Sequence, residues 1–558
     1  MAAFLCSFLL LQAASFVFAS PLHPLSYLTT AWDVIVVGSG PAGVIVASRL
    51  SESGTKKVLL LEGGGPSYGI TGGTERPQWL AGTNLSRVDV PGLYNTIFSG
   101  PTNLTCGNKV NAFIGCSIGG SSAINAGLFF EPPSSDFDTY FPTGWKYADL
   151  VPSINRLYAT QPSSDITSDN QVLYEQSGYT AAKQWLVTGA GFSEVAINTD
   201  FANKTKVFGH PVYDYKNGQR GGPVISYLQT ALNRSNFHLQ SGVWVNHILR
   251  TGNVATGVVA NSSGVISNIA LAPNGRVIIS NGALKSPELL MKSAIGDPAV
   301  LETLQKANQL NGIPPSSWIN NTAVGAGLFD NPNTFIELSS PTVQSYTYSY
   351  SDPIPSDASL YLNSRSGPYS FASEISVFWD YITHSDGTKA GMQGTIGSAG
   401  YDGYTNNNTV TLNIYGTSGL KSSGKVVLDS NFVPGPQGVY FSNPQDAQDI
   451  ATFIHNIFAA LPKSNLTPLN IPATATQAQI LTYITTPSAY TDGEVNHWSS
   501  SCRLGSCVDV NTTVIGMANL NVVDASIVEP LTVNPQFGIM VAAERASELI
   551  GKLIGVTI

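Results

Sequence analysis

The chain has 558 residues, of which 27 are Lys or Arg and 36 are Asp or Glu, and 43% are hydrophobic. That hydrophobic share excludes disorder as the main state, and a net charge of −9 argues against a phosphate backbone as partner, which needs a basic stripe. Charged residues make up only 11%, against roughly 25% in average soluble proteins, so solubility needs another source.

The first Asp, Glu, Lys or Arg is Asp33, and the stretch from Ala2 to Phe18 is almost wholly apolar. It is short for a membrane span of ~20 residues. Val17 and Ala19 put small residues at the −3 and −1 positions of a signal-peptidase site, so residues 1–19 are expected to be a signal peptide and the mature protein to be secreted. A positive n-region is missing, and an uncleaved anchor is the alternative reading. No later stretch reads as a membrane helix.

Asp33 to Val37 (DVIVV) reads as a buried parallel strand and leads into Gly38-Ser39-Gly40-Pro41-Ala42-Gly43, a G-x-G-x-x-G loop. Ala42, Val46 and Leu50 then form one apolar helix stripe, Lys57 to Leu61 reads as a second strand, and Glu62 stands at its end. Together these elements fit a dinucleotide. Glycines let the backbone approach a pyrophosphate, a helix N-terminus stabilises its charge, and the acid accepts hydrogen bonds from ribose hydroxyls. A second glycine-rich loop runs from Gly115 to Gly127, and a third segment joins a strand (Val277 to Ser280) to a helix with Ser286 as N-cap and Pro287 at its first position.

Further along, the Ser/Tyr/Pro-rich stretch from Ser339 to Ser370 is expected over or beside an active-site entrance, with a plain surface loop as the alternative. Phe453 to Leu461 reads as an amphipathic helix. Leu520 to Val523 reads as a strand ending at Asp524, and Asn534-Pro535 as the N-cap and first turn of a C-terminal helix.

Cleavage would leave four cysteines in two close pairs, Cys106 with Cys116 and Cys502 with Cys507. An oxidising compartment would let these pairs close as disulfides, although four cysteines allow three connectivities and a structural zinc competes. No metal site is expected. Glycosylation sequons stand at Asn84, Asn103, Asn203, Asn233, Asn261, Asn320, Asn407, Asn465 and Asn511, scattered along the chain.

The sequence resembles the glucose-methanol-choline (GMC) flavin oxidoreductases. GGSSAINAG (Gly119 to Gly127) is similar to the family's first signature and GALKSPELLMKSAIG (Gly282 to Gly296) to its second, and the resemblance covers the chain from Asp33 to the C-terminal helix. Within the family it looks most like the flavodehydrogenase domain of fungal cellobiose dehydrogenases, through TGGT (Thr71 to Thr74), VDVPGLYNTIF (Val88 to Phe98), GPVISYLQTAL (Gly222 to Leu232), NHW (Asn496 to Trp498) and NPQ (Asn534 to Gln536). The resemblance implies α/β plus α+β architecture: a Rossmann-like FAD-binding domain with an interleaved substrate domain built on an antiparallel sheet. Residues 28–75, 190–300 and 498–558 are assigned to the FAD domain, and 76–189 and 301–497 to the substrate domain and flavin lid.

The implied FAD contacts are Gly38, Gly40, Pro41, Ala42, Gly43, Glu62, Gly119, Gly120, Ser121, Asn125, Ala126, Val245, Gly282, Asp524, Ala525, Pro535 and Gln536. Alcohol oxidation by hydride transfer needs a base for the hydroxyl proton, and His is suited because its unperturbed pKa of ~6.5 lies near working pH. Of seven histidines, His497 alone sits in the family's catalytic motif, and Asn534 occupies its second catalytic position. Asn534 is therefore expected either to contact substrate or to cap the helix.

Asn95, Asn496 and Trp498 are the expected substrate residues. Cellobiose dehydrogenases usually carry an acid where Asn95 stands, and an arginine where Asp380 follows Phe378-Trp379, so cellobiose itself is disfavoured. Tyr94, Trp379 and Tyr381 are further candidates to stack on a sugar. About thirteen residues separate the expected cleavage from Asp33, so no cytochrome domain is expected. The reading is thus a secreted alcohol oxidoreductase acting on a sugar or oligosaccharide, passing electrons to a quinone, oxygen or another small acceptor. A non-sugar alcohol, such as an aryl alcohol or secondary metabolite, and a catalytically silent flavin-binding protein are the alternatives.

Overall fold

The computed structural model describes residues 26–491 and 493–558. The expected signal segment, with Cys6, lies outside the described residues. Strand β1 (Trp32–Val37) is almost wholly buried, as its unbroken apolar run requires of a central parallel strand. It turns through the glycine loop into α1 (Pro41–Ser51), whose first residue is a proline, and the chain returns as β2 (Val58–Leu61), parallel to β1.

The parallel sheet is completed from distant parts of the chain. β4 (Phe237–Gln240) pairs with β2, the far end of β7 (Val265–Ile279) pairs with β1, and β12 (Leu520–Val522) pairs with β7 on its other side, all parallel. The near end of β7 instead continues an antiparallel sheet with β6 (Val254–Ser262) and β5 (Trp244–Thr251). One long strand therefore belongs to both sheets. Helices α1, α2 (Tyr147–Thr160) and α5 (Gln536–Ile554) pack together beside the parallel sheet, and Glu544 of α5, fully buried, is held by Arg49 of α1 and Arg156 of α2.

The second unit is a seven-stranded sheet of nearly antiparallel order: Thr467–Pro468, β8 (Asn333–Ser339), β11 (Thr409–Gly416), β10 (Lys389–Gly397), β9 (Glu374–Thr383), β3 (Val207–Gly209) and Ser193–Glu194. Only the last pair is parallel. Helix α4 (Pro444–Phe458) covers it with Ile450, Phe453, Ile454 and Ile457, at i, i+3, i+4 and i+7.

The domain boundaries need correction. β3 lies within residues 190–300, yet pairs with β9 in the substrate sheet. Conversely α2, and Leu301, Leu304 and Leu310, lie in segments assigned to the substrate domain but pack in the core of the dinucleotide unit. Helix α4 starts nine residues before Phe453. Its polar first turn hides it in the sequence, because the Asp446 carboxylate faces inward to accept the Lys421 and Ser422 N–H groups. The two cysteine pairs are disulfides, Cys106 with Cys116 and Cys502 with Cys507.

Candidate active site

The three glycine-rich segments converge because their backbones touch. Gly38 has a φ of +101°, and a Cβ there would stand 2.4 Å from the Ser280 carbonyl oxygen at the end of β7. A Cβ on Gly120 would lie 2.9 Å from Gly40 Cα, while the Gly119 N–H donates to the Ser39 carbonyl at 2.9 Å. Gly40 is different. A Cβ there would meet no protein atom nearer than 3.9 Å, so this residue faces open cleft. Glu62 closes the loop from the end of β2: one carboxylate oxygen accepts from the Ser39 N–H (2.9 Å) and hydroxyl (2.7 Å), the other from the Gly64 N–H (2.8 Å), and burial raises its pKa.

These segments line a cleft of about 1170 Å³ that runs from the glycine loop to His497. Of the implied FAD contacts, Gly43 and Gly119 do not line it; a Cβ on Gly43 would stand 1.9 Å from the Gly38 carbonyl oxygen, so Gly43 seats the helix on the strand. The others all line the cleft, including Val245, Gly282, Asp524, Ala525, Pro535 and Gln536. Asp524 does more than end a strand. Its carboxylate accepts from the Gly282 N–H (2.9 Å) and the Ser286 hydroxyl (2.5 Å), and so starts α3 (Gly282–Lys292) from across the sheet. Ser286 is therefore not an N-cap, and Pro287 lies inside the helix.

At the far end, His497 is partly buried with its ring at the cleft, and desolvation depresses its pKa to about 3 and keeps the imidazole neutral. Its Nδ1 lies 2.9 Å from Asn331 Oδ1 and its Nε2 lies 3.3 Å from Asn534 Nδ2. Asn534 does not cap α5, which begins at Gln536 with Pro535 at the cap position. Its Oδ1 instead accepts from Gln393 Nε2 (2.6 Å) and the Tyr415 hydroxyl (3.2 Å). An alcohol placed between the two residues could donate its proton to Nε2 while accepting from the Asn534 amide.

Asn496 and Trp498 line this end of the cleft, where the Trp498 indole donates to Asn496 Oδ1 at 3.2 Å. Asn95 does not: it is exposed, outside the cleft, and donates to the Ser373 hydroxyl at 2.8 Å. Tyr94, Trp379 and Tyr381 are likewise absent from the lining, and Trp379 is fully buried between sheet residues. The Ser339 to Ser370 stretch also misses the cleft. Its tyrosines 346, 361 and 369 form a small core with Leu80, Leu85, Val90 and Leu93. Asp330, Asn331, Gln393 and Tyr415 escaped sequence reasoning because no local motif marks them.

Family models described as GMC oxidoreductase match residues 35–333 and 421–543. The chain belongs to the GMC oxidoreductases. Among similar proteins of this family, the glucose dehydrogenase [FAD, quinone] of Drosophila pseudoobscura pseudoobscura is 24% identical, over 94% of this chain and 87% of that protein. The oxygen-dependent choline dehydrogenase of Staphylococcus xylosus is 27% identical, over 93% and 94%. A variant formate oxidase of Aspergillus oryzae RIB40 shares the fold with a TM-score of 0.74 at 18% identity, over 94% and 98% of the two chains.

This GMC oxidoreductase is an FAD-dependent enzyme acting on CH–OH donors. Its residues fit the cofactor. Gly40 leaves the loop open to the cleft, Glu62 lines the cleft at the end of β2, where a ribose acceptor is needed, and Gln536 carries a buried Nε2 with no protein partner at the start of α5. That helix turns its free N–H groups toward the same end, where they favour negative charge. When bound, FAD supplies the hydride acceptor.

Proposed function

We propose that this GMC oxidoreductase is secreted and oxidises a hydroxyl of an uncharged donor, with sugars and small oligosaccharides as the first class, passing electrons to a quinone or another small acceptor. The observation that carries this reading is the pairing of a neutral imidazole Nε2 with an amide Nδ2, 3.3 Å apart at the inner end of the cleft. The first takes the hydroxyl proton as the hydride leaves carbon; the second holds the oxygen. Around them Leu128, Ala126, Asn496 and Trp498 carry no formal charge, which suits an uncharged donor better than a quaternary ammonium or a carboxylate. Asn496 offers an amide suited to a second hydroxyl.

A non-sugar alcohol is the second reading, favoured by Trp498 and Leu128 together with the position of Asn95 outside the cleft. Secretion is supported by two disulfides and by the sequons, all at surface or part-exposed positions. The test is a screen of mono- and oligosaccharides, aryl alcohols and other neutral alcohols, run with a quinone dye and with oxygen. Turnover of sugars with the dye supports the first reading; turnover of non-sugar alcohols alone overturns it. A mass decrease of the secreted protein on endoglycosidase treatment tests the glycoprotein reading.

A further inference from the structure

Two neighbouring residues that no motif marks hold His497 by its backbone and by its ring. Asp330, in the turn before β8, is fully buried, and its carboxylate accepts the N–H groups of Val495 (3.1 Å), Asn496 (3.1 Å) and His497 (2.6 Å) and the Tyr440 hydroxyl (2.6 Å). Three successive N–H groups converge on one carboxylate because the chain curls there, with Asn496 at a φ of +66°. Asn331 then reaches the ring.

The orientation of each amide follows from partners that cannot change role. The Gly416 carbonyl can only accept, so the Asn331 atom 2.7 Å from it is Nδ2, and Oδ1 faces His497 Nδ1. Nδ1 therefore carries the ring proton. On the opposite side, the Trp379 indole can only donate, so it fixes Gln393 Oε1 at 3.0 Å and turns Gln393 Nε2 toward Asn534. That contact sets Asn534 Oδ1 inward and Nδ2 toward His497 Nε2. Both chains of bonds, begun from different fixed groups, leave the lone pair on Nε2 at the cleft.

We propose that Asp330 and Asn331 are positioning residues of the alcohol oxidation: Asp330 fixes the backbone of the base, and Asn331 fixes the tautomer that aims its lone pair at the substrate hydroxyl. The inference rests on His497 being the base of the proposed function. An imidazole with its proton on Nε2 would present a donor to the hydroxyl and could not take its proton. The other titratable groups facing the ring are Tyr415, whose ring stands edge-on with centroids 5.8 Å apart, Asp330 through the backbone, and Tyr440 behind it. None of them touches Nδ1.

The experiment compares Asn331→Ala and Asn331→Asp with the parent holoenzyme, using the best donor from the screen, with flavin absorbance as the check on folding. Asn331→Ala is expected to lower kcat at least about tenfold with KM within about twofold. Asn331→Asp keeps an acceptor at Nδ1 and adds a negative charge that favours the imidazolium. It is expected to recover most of kcat and to move the acid limb of the kcat/KM profile up by about one pH unit or more. The shift shows that the side chain at 331 faces Nδ1, and the recovery of kcat by an acceptor there, with KM unchanged, is what a purely structural residue would not give. If Asn331→Ala does not bind FAD, the Asn331→Asp profile decides alone. An unshifted acid limb in Asn331→Asp, or Asn331→Ala within about twofold of parent kcat, overturns the proposal. His497→Ala separates the two levels: near-normal turnover there sinks the base assignment itself, whereas a dead His497→Ala beside unaffected Asn331 variants sinks only the positioning role.

Discussion

Single residues in this site divide by what they touch. His497 lines the cleft with Nε2 beside the Asn534 amide, so if it is the base of the proposed function, His497→Ala is expected to retain the flavin spectrum while turnover falls ~100-fold or more, the usual worth of a positioned base. Gly40 and Gly43 show the same division in one loop. Gly40 has a φ of −63° that alanine accepts, and only the cleft lies beyond it, so Gly40→Ala is expected to fold and to bind FAD more weakly. Gly43→Ala would drive a methyl group into the Gly38 carbonyl at 1.9 Å, an overpacking that costs roughly 3 kcal/mol or more once the helix is forced off the strand. Thermal melts and FAD titrations of the two variants check this; equal melting temperatures would show that the helix yields without strain.

At the scale of elements, the segment closed by Cys106 and Cys116 forms part of the cofactor cleft's wall and is expected to act as a strap over it. Asn108, Lys109, Ile114, Gly115 and Cys116 line that cleft, Lys109 stacks on the Trp244 ring at 4.5 Å, and Asn111 is tied to Pro434 (2.8 Å) and Asp429 (3.0 Å). The disulfide limits the conformations open to the free strap. Replacing both cysteines by serine is expected to speed FAD release by ~tenfold or more, read as rising flavin fluorescence on dilution. The Cys502 to Cys507 bond does not line the cleft, and the matching double serine variant should leave release unchanged. Equal release rates in both variants would remove the strap's role.

Over the whole molecule, buried carboxyls set the pH response. Burial lifts Asp136, Asp214 and Glu374 to about 7 and Asp330 to about 6, against about 4 in an unfolded chain. The folded state thus holds these protons more tightly, so their contribution is fully present below about pH 4 and is lost as pH rises through 7. His497 has the opposite sign, because its pKa drops from about 6.5 to about 3 and stability falls as pH falls through that window. Burial lowers three further imidazoles, His210, His238 and His247, but the raised carboxyls, which also include Glu175 and Glu337 at about 7, outnumber the four imidazoles between about pH 5 and 8. The thermal midpoint is therefore expected to be higher near pH 5 than near pH 8, and the reverse order in a melting series would contradict it.

Short-range pattern determined what short-range physics can encode. The strand, glycine loop, helix and acid from Asp33 to Glu62 were legible because a parallel strand must be apolar throughout and a close backbone approach must be glycine. His497 and Asn534 were legible through local motifs, and so were the paired cysteines. The role of Asn534 was not, since capping and substrate contact require the same residue type beside Pro535, and only Gln393 and Tyr415, brought in from the antiparallel sheet, turn its amide to His497. The start of α3 was misplaced for a related reason: its cap is Asp524, 242 positions away. Asp330 and Asn331 carried no signal at all, because their work depends on a chain reversal 166 residues later. The sequence by itself determined the cofactor loop, the histidine that faces the cleft and the family; the tertiary structure alone decided which way each amide points, because that direction is set by partners that folding brings together.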